Sequence, residues 1–370
     1  MLYSQHVLGI GHFFRSMEIA RALHGHEVMF VEGGDPLVDF TTPPHVRRFF
    51  LPSLMMDADF KSMEARSGSL DEIKKVRMGL FLDAFLDFNP HVLITELFPF
   101  GRRQFRFELM PVLQAIRNQR MSTRVVCSLR DILVEKAKQS EYERWVLDIL
   151  NTHYDLLLIH SDPRIISLDE TFTQMDKILV PIHYTGFVTR PIPAVGKLPG
   201  RRVIVASSGG GKVGTDLLEA AIQAVQSMTD RSVCLKVFLG PFMDEGEKGL
   251  LVKLAGADPR TTLHPFSSDF LSELMASDLS ISMAGYNTCM DILSAGVKAI
   301  VYPFPQNREQ ALRARRLETL GLLKVIREVD SESLEVSIRE ALAETFPGAS
   351  PRKPLDLAGA ARTRQFITSP

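Results

Sequence analysis

His12 closes the run Gly9-Ile10-Gly11-His12 directly after a short apolar opening, and Arg15 follows three residues later. Glycines let a backbone turn tightly and approach a ligand, and an imidazole at the head of a helix can take a proton near neutral pH. The same histidine could merely cap a helix. A second constellation is Ser207-Ser208-Gly209-Gly210-Gly211-Lys212-Val213-Gly214-Thr215. It is not a P-loop, because Lys212 is not followed by Ser or Thr and the glycine spacing is wrong, yet backbone N–H groups of such a loop can hold phosphates, with Lys212 or Thr215 assisting. A third lies between residues 282 and 323, where Gly285, Asn287, Thr288 and Asp291, then Gln310, sit at two successive loop-to-helix junctions. Helix N-termini at the carboxyl ends of parallel strands favour anions such as a diphosphate. The fourth, residues 98–108, interleaves Arg102, Arg103 and Arg106 with Phe98, Phe100, Phe105 and Phe107. Arginines there suit an anionic acceptor and phenylalanines a sugar face or lipid; alternatively the rings pack inward and the arginines face solvent.

The chain has 370 residues, 45% of them hydrophobic and 24% charged, which suits two ordinary globular domains better than one. A formal net charge of -1 gives no general argument for nucleic acid or an anionic surface as partner. Cys127, Cys234 and Cys289 are far apart, without a CxxC pair or a histidine-rich neighbourhood, so neither a disulfide framework nor a zinc site is expected. Asp57-Ala58-Asp59 offers an acidic triplet, but such triplets arise readily by chance, and no metal is expected. Residues 1–11 lack Lys and Arg and no apolar run approaches the length of a membrane span, so a cytoplasmic protein is expected, with peripheral contact at the inner membrane face compatible with the sequence. The opening strand is short for a central position, as though the start were slightly clipped.

Regular alternation positions these groups. Apolar strand-like segments at 2–7, 27–31, 46–49, 91–95, 124–128 and 155–160 exchange with helical patterns at 13–23, 71–88, 104–118 and 141–152. The proline- and glycine-rich stretch 185–202 interrupts the series, and strands at 203–207, 233–239, 261–264, 279–282, 298–302 and 323–326 resume it with helices at 215–228, 246–254, 269–276, 287–295, 308–319 and around 334–344. This predicts an α/β protein of two Rossmann-like, doubly wound parallel-sheet domains: 1–188, a linker at 189–201, 202–346, and a tail at 347–370 ending in a last helix at 355–366.

In order and spacing, Gly285, Thr288, Asp291, Gly296, Pro303, Gln310 and Gly321 resemble the donor domain of GT-B nucleotide-sugar glycosyltransferases, and most of all glycosyltransferase family 28, which includes the N-acetylglucosaminyltransferase of peptidoglycan synthesis. The run FPFGRRxxRFEL, Ser128-Leu129-Arg130-Asp131 and Ser161-Asp162-Pro163-Arg164 resemble a bacterial branch of predicted glycosyltransferases over nearly the whole chain. The resemblance implies two domains facing a cleft, with acceptor contacts on the first, where a terminal helix commonly returns, and a metal-independent donor site on the second. It implies a nucleotide sugar, UDP-linked by that likeness, as co-substrate without a tightly bound cofactor, and a small or lipid-linked acceptor. Asp291 would grip the ribose hydroxyls, a task suited to a carboxylate that accepts from two hydroxyls. The loop from Ser208 to Gly211 would seat the diphosphate, Gln310 would meet the donor sugar, Phe266 the base, and Gly9, Gly11 and His12 would serve acceptor activation or the diphosphate, with Arg15 and the arginines of 102–106 on the acceptor side. Two positions depart from the family: Asp291 stands where Glu is usual, and Asn307-Arg308-Glu309-Gln310 replaces Asp-x-x-Gln. The Gly-x-Gly-His-x-x-Arg pattern also resembles a nucleotide-sugar hydrolase in which the histidine activates water, and a non-catalytic sugar-nucleotide-binding protein remains a third reading.

Overall fold

The structure, a computed structural model, describes residues 1–5, 11–34, 40–56, 63–65, 69–134, 136–194, 201–267, 269–343 and 355–369. Gly9 and the triplet Asp57-Ala58-Asp59 lie outside them. The chain divides into two compact units, one of Met1–Val188 with Asp356–Pro370 and one of Thr189–Leu355.

In the first unit the chain runs through β1 (Leu2–Tyr3), α1 (Gly11–Ala22), β2 (Val28–Glu32), β3 (Val46–Phe50), the antiparallel pair β4 (Leu54–Met56) and β5 (Met63–Ala65), and α2 (Leu70–Phe88). It continues through β6 (Val92–Glu96), α3 (Arg106–Asn118), β7 (Arg124–Arg130), α4 (Gln139–His153), β8 (Leu156–His160) and β9 (Ile182–Tyr184). Seven strands form one sheet in the order β3-β2-β1-β6-β7-β8-β9, and every pair is parallel. β2 and β8 are buried along their whole length, as expected of parallel strands covered on both faces. On one face Phe81, Phe85, Leu109, Val112 and Leu113 from α2 and α3 pack on Leu93, Val125 and Leu157. On the other, Phe13 and Met17 of α1 pack on Leu2, Phe30 and Val126.

The second unit contains β10 (Arg202–Ser207), α5 (Thr215–Ser227), β11 (Val233–Phe238), α6 (Glu245–Ala255), β12 (Thr261–His264), α7 (Phe270–Ala276) and β13 (Leu279–Met283). α8 (Tyr286–Ala295), β14 (Lys298–Tyr302), α9 (Arg308–Thr319), β15 (Lys324–Val325) and α10 (Ser331–Leu342) complete it. Its six strands are parallel in the order β12-β11-β10-β13-β14-β15. Local chemistry sets the helix limits. Asn307 Oδ1 accepts from Gln310 N at 3.1 Å and so caps α9, Asp330 caps α10 in the same way, and Gly296 at φ 68° ends α8 in the left-handed region open to glycine.

The last helix, α11 (Gly359–Thr368), belongs to the first unit: Ile367 and Phe366 pack into the core beside α1, and the Phe366 ring stacks on His183 at 4.2 Å. Thr185–Val188, at the margin of the proline-rich stretch, is buried and not linker-like; Phe187 N donates to Asp356 O and an antiparallel bridge joins Val188 to Ala358. Among the described residues no helix is long and apolar enough to cross a membrane.

Candidate functional site

Each sheet has one topological switch point. In the second unit β10 leads outward through α5 to β11, while β13 leads the other way through α8 to β14, so a crevice opens at the carboxyl ends of the adjacent strands β10 and β13. The glycine loop and the Gly285 turn flank it. Gly209, Gly211 and Gly214 have φ of 71°, 85° and 91°, values that strain any side chain. Gly211 also lies against backbone: a Cβ there would stand 2.7 Å from Gly240 Cα, and Phe242 N donates to Gly210 O at 3.0 Å. The loop is thus braced from behind by residues 240–242. At the head of α5 the hydroxyls of Ser208 and Thr215 are buried without a hydrogen-bond partner among the described residues. Buried hydroxyls are normally satisfied, and their position beside a helix N-terminus suits an oxyanion.

Gly285 differs from the loop glycines. Its φ of -64° is open to any residue and its Cβ position meets only Thr288 Oγ1 at 3.8 Å, so what glycine supplies here is space in front of the first turn of α8. Asn287 and Thr288 are half-buried in that turn, and Asp291 is buried one turn further on. Asp291 is not solitary: its carboxylate accepts from Arg190 Nε at 3.1 Å and from Arg190 Nη2 in a bidentate pair. Burial raises the Asp291 carboxyl above the usual carboxylate range, and Arg190 opposes that rise. Gln310 directs its carbonyl inward, accepting from Phe304 N at 3.0 Å, which leaves the amide NH2 as the end suited to a ligand. Arg313, buried beneath, donates to Ala284 O at 3.4 Å and lies over the Tyr286 ring, tying α9 to the Gly285 turn. Phe266 comes just after β12 at the same sheet edge and is 39% exposed.

In the first unit the switch point lies between β1 and β6. His12 occupies the first turn of α1, and Glu96 ends β6. The His12 Nδ1 to Glu96 Oε1 distance is 2.7 Å, and Arg15 Nη2 donates to the same carboxylate oxygen. Burial alone would raise the Glu96 carboxyl; His12 and Arg15 overcome it and hold the group at about 2. An ionised carboxylate only accepts, so His12 Nδ1 carries the proton. Burial pushes the imidazole down to about 3, Arg102 and Arg15 act in the same direction, and Glu96 opposes them. The neutral ring therefore keeps an unprotonated Nε2. With 18% of the side chain exposed, that nitrogen has the form of a general base held by a carboxylate.

The aromatic-arginine stretch separates into two populations. Phe98, Phe100 and Phe105 are core residues, so of the two readings of this stretch their rings follow the one in which they pack inward, and they form no sugar or lipid surface. Arg103 lies over the Trp145 ring at 4.6 Å, Arg106 is exposed, and Arg102 turns back towards Glu96 from a left-handed backbone at φ 56°. Arg15 is buried, so it acts on any ligand through Glu96 and His12. Asp131 is fully buried, with Oδ1 accepting from Ile132 N. A surface hollow of about 400 Å³ beside His26, Glu27 and His45 lies at the opposite, amino edge of β2 and β3 and gathers none of these groups. Among the described residues no group of three or more His, Cys, Asp or Glu side chains could hold a metal.

Residues 209–353 match the model of the glycosyltransferase family 28 C-terminal domain. The second unit is similar to that family 28 C-terminal domain. The chain is 28% identical over 178 residues to the UDP-N-acetylglucosamine--N-acetylmuramyl-(pentapeptide) pyrophosphoryl-undecaprenol N-acetylglucosamine transferase of Hahella chejuensis, a match covering 47% of each chain. It is 33% identical over 102 residues, 27% of each chain, to the transferase of the same description from Acidithiobacillus ferrooxidans. The chain thus spans about half the length of the first of these curated relatives and less of the second. Among solved structures, the calicheamicin glycosyltransferase CalG4 superposes with a TM-score of 0.61 at 15% identity over 99% of this chain and 94% of that one. Acinetobacter baumannii MurG gives 0.56 at 14% over 98% and 94%, and a putative UDP-N-acetylglucosamine 2-epimerase from Listeria monocytogenes gives 0.64 at 15% over 99% and 94%. These likenesses establish the fold, and the family 28-like chain has GT-B architecture.

Two residues of the family 28-like chain were not singled out from sequence. Glu96 is a lone carboxylate at the carboxyl end of a buried central strand, a pattern that could have marked it. Arg190 sits in a stretch whose prolines and glycines read as linker, and its partner is 101 residues away.

Proposed function

We propose that this chain is a glycosyltransferase that moves a sugar from a nucleotide sugar, UDP-linked, to a hydroxyl or amine acceptor. The observation that carries the donor half is the pair of buried, unpartnered hydroxyls of Ser208 and Thr215 at the head of α5, beside three positive-φ glycines and next to the family 28 match. The donor diphosphate would take the backbone N–H groups of 209–211 and the heads of α5 and α8; Asp291, with Arg190 beside it, would accept from the ribose; Gln310 would offer its NH2 to the sugar.

The acceptor half rests on His12 and Glu96. As the acceptor oxygen attacks the anomeric carbon, the bond from that carbon to the diphosphate breaks, and the acceptor proton passes to His12 Nε2. Glu96 stabilises the imidazolium that forms, and UDP leaves with the bonding pair. With water in place of the acceptor the same dyad would give hydrolysis. Metal independence, a lipid-linked acceptor and a cytoplasmic place at the inner membrane face belong to this proposal. The test is UDP release from a panel of UDP-sugars, with and without added acceptors. Release that rises with an acceptor supports transfer, equal release without one supports hydrolysis, and UDP binding with no turnover under either condition refutes catalysis. His12→Ala is expected to lower turnover by roughly 10²–10⁴-fold with little change in UDP affinity.

A further inference from the structure

The outer face of α2 carries residues for which the first unit itself has no use. One side of this helix is accounted for: Arg77, Phe81, Ala84 and Phe85 are buried, the two rings in the core. Its start is accounted for as well. Asp71 and Glu72 suit an N-terminal turn, and Glu72 accepts from Ser69 N in a capping box. On the outer side, however, Val76, Met78 and Leu80 are 52%, 36% and 39% exposed, and Leu82 is half-buried further along. Gly79 stands among them. Glycine in a helix interior is less favourable than alanine, yet a Cβ at Gly79 would meet nothing within 4 Å and the backbone has no positive φ. Neither space nor strain within the unit calls for it. Lys75, Asp83 and Asp87 are exposed, and Asp87 lies in the last turn, where the helix dipole disfavours a negative charge and no basic residue offsets it.

These positions answer one another about Gly79. One residue to either side stand Met78 and Leu80, three away Val76 and Leu82, four away Lys75 and Asp83. Only the pair two away, Arg77 and Phe81, turns wholly into the unit. A second α2 laid antiparallel across the first, with the two-fold axis at Gly79, therefore sets apolar side chains against apolar ones. It also brings Lys75 of each copy level with Asp83 of the other, and the missing side chain at the crossing lets the backbones approach. An anionic bilayer suits this face less well, because its exposed charges are Asp71, Glu72, Asp83 and Asp87 against Lys75. We infer that two copies of this chain associate as an antiparallel two-fold dimer through the outer faces of their α2 helices. The helix has 19 residues and is about 28 Å long, so the contact falls at the small end of stable interfaces and a micromolar dissociation constant is expected. The inference is independent of the transferase reading.

The test is sedimentation velocity of the full chain from about 1 to 200 μM, which brackets a micromolar equilibrium. The expected result is a shift from monomer to dimer with concentration. Leu80→Glu should abolish the dimer and leave the thermal melt of the dilute chain unchanged. Lys75→Glu and Asp83→Lys should each weaken association by roughly tenfold, because every dimer holds two such pairs, and the double variant should restore it. Gly79→Leu should block the crossing while the dilute chain melts no lower than wild type. A chain that stays monomeric throughout overturns the inference, as does a dimer that persists in Leu80→Glu or a charge reversal that the double variant does not rescue. A monomer that sediments with anionic vesicles, and loses this in Leu80→Glu, gives the face to a membrane and overturns it too. Should Leu80→Glu fail to fold, the charge-reversal set still decides.

Discussion

Glu96→Gln isolates what the carboxylate does for His12. The substitution keeps the size of the side chain and removes its charge. In the wild type, Nδ1–H points at an ionised oxygen 2.7 Å away, and proton transfer to Nε2 creates an imidazolium beside that anion. For charge centres about 4 Å apart at an effective dielectric constant of about 20, the attraction is about 4 kcal/mol, or roughly a thousandfold in rate. Glutamine can also donate to Nδ1, which would place the proton on Nε2 and remove the base altogether. The assay is steady-state UDP release at saturating donor, paired with UDP titration by calorimetry and a thermal melt. The melt matters because Arg15 loses its buried partner, and breaking such a pair costs about 3–5 kcal/mol of stability. The expected outcome is a turnover number lower by about 10³ with UDP affinity within about threefold of wild type. A Glu96→Gln protein that folds and turns over at the wild-type rate would refute the dyad.

Gly211→Ala sets a side chain at φ 85° and 2.7 Å from Gly240 Cα; a stability loss of about 2–4 kcal/mol and weakened UDP binding are expected, read by thermal melt and calorimetry. Gly285→Ala has an unstrained backbone and nothing nearer than Thr288 Oγ1 at 3.8 Å, so its melt should match wild type while UDP binding weakens; a large drop in stability would contradict the assigned role of that glycine. Asp291→Ala removes the carboxylate proposed for the ribose and should weaken UDP by roughly 10–100-fold with little change in turnover at saturation, whereas an unchanged dissociation constant would remove Asp291 from the donor site. His12 and His160, each near 3 when folded against 6.5 when unfolded, bind fewer protons in the native state between those values. Stability should therefore fall as pH drops from about 6.5 towards 3, with Glu96, folded at about 2 against 4.5, extending the loss at the acid end; denaturant titrations at several pH values that show no loss below 6.5 would contradict the buried neutral imidazoles.

Where the sequence was legible, punctuation made it so. β14 and α9 occupy the residues expected of them, because Gly296 ends the preceding helix, prolines at 303 and 305 stop the strand, and Asn307 caps the helix beyond them. Alternation of buried strands with amphipathic helices was enough for two parallel sheets. β9 was missed because three half-buried residues at a sheet edge carry no periodic signal, and the β4–β5 pair because its strands are equally short. The site was harder to read. His12 and Asp291 were visible as residue types in suggestive places, but their partners were not: Glu96 lies 84 residues from His12, and only the strand order brings the end of β6 beside the start of α1. The phenylalanines of 98–107 attracted attention by composition alone. Burial then assigned Phe98, Phe100 and Phe105 to the core.

The central claim, a nucleotide-sugar site on the second unit, is tested most directly by thermal unfolding of the full chain with UDP, TDP, GDP and ADP, each in large excess. At about one hundred times its dissociation constant a ligand adds roughly 2.7 kcal/mol to the native state, enough to move the midpoint by several degrees. The account predicts such a shift with UDP, and its loss in Asp291→Ala. No shift with any of the four nucleotides would contradict it.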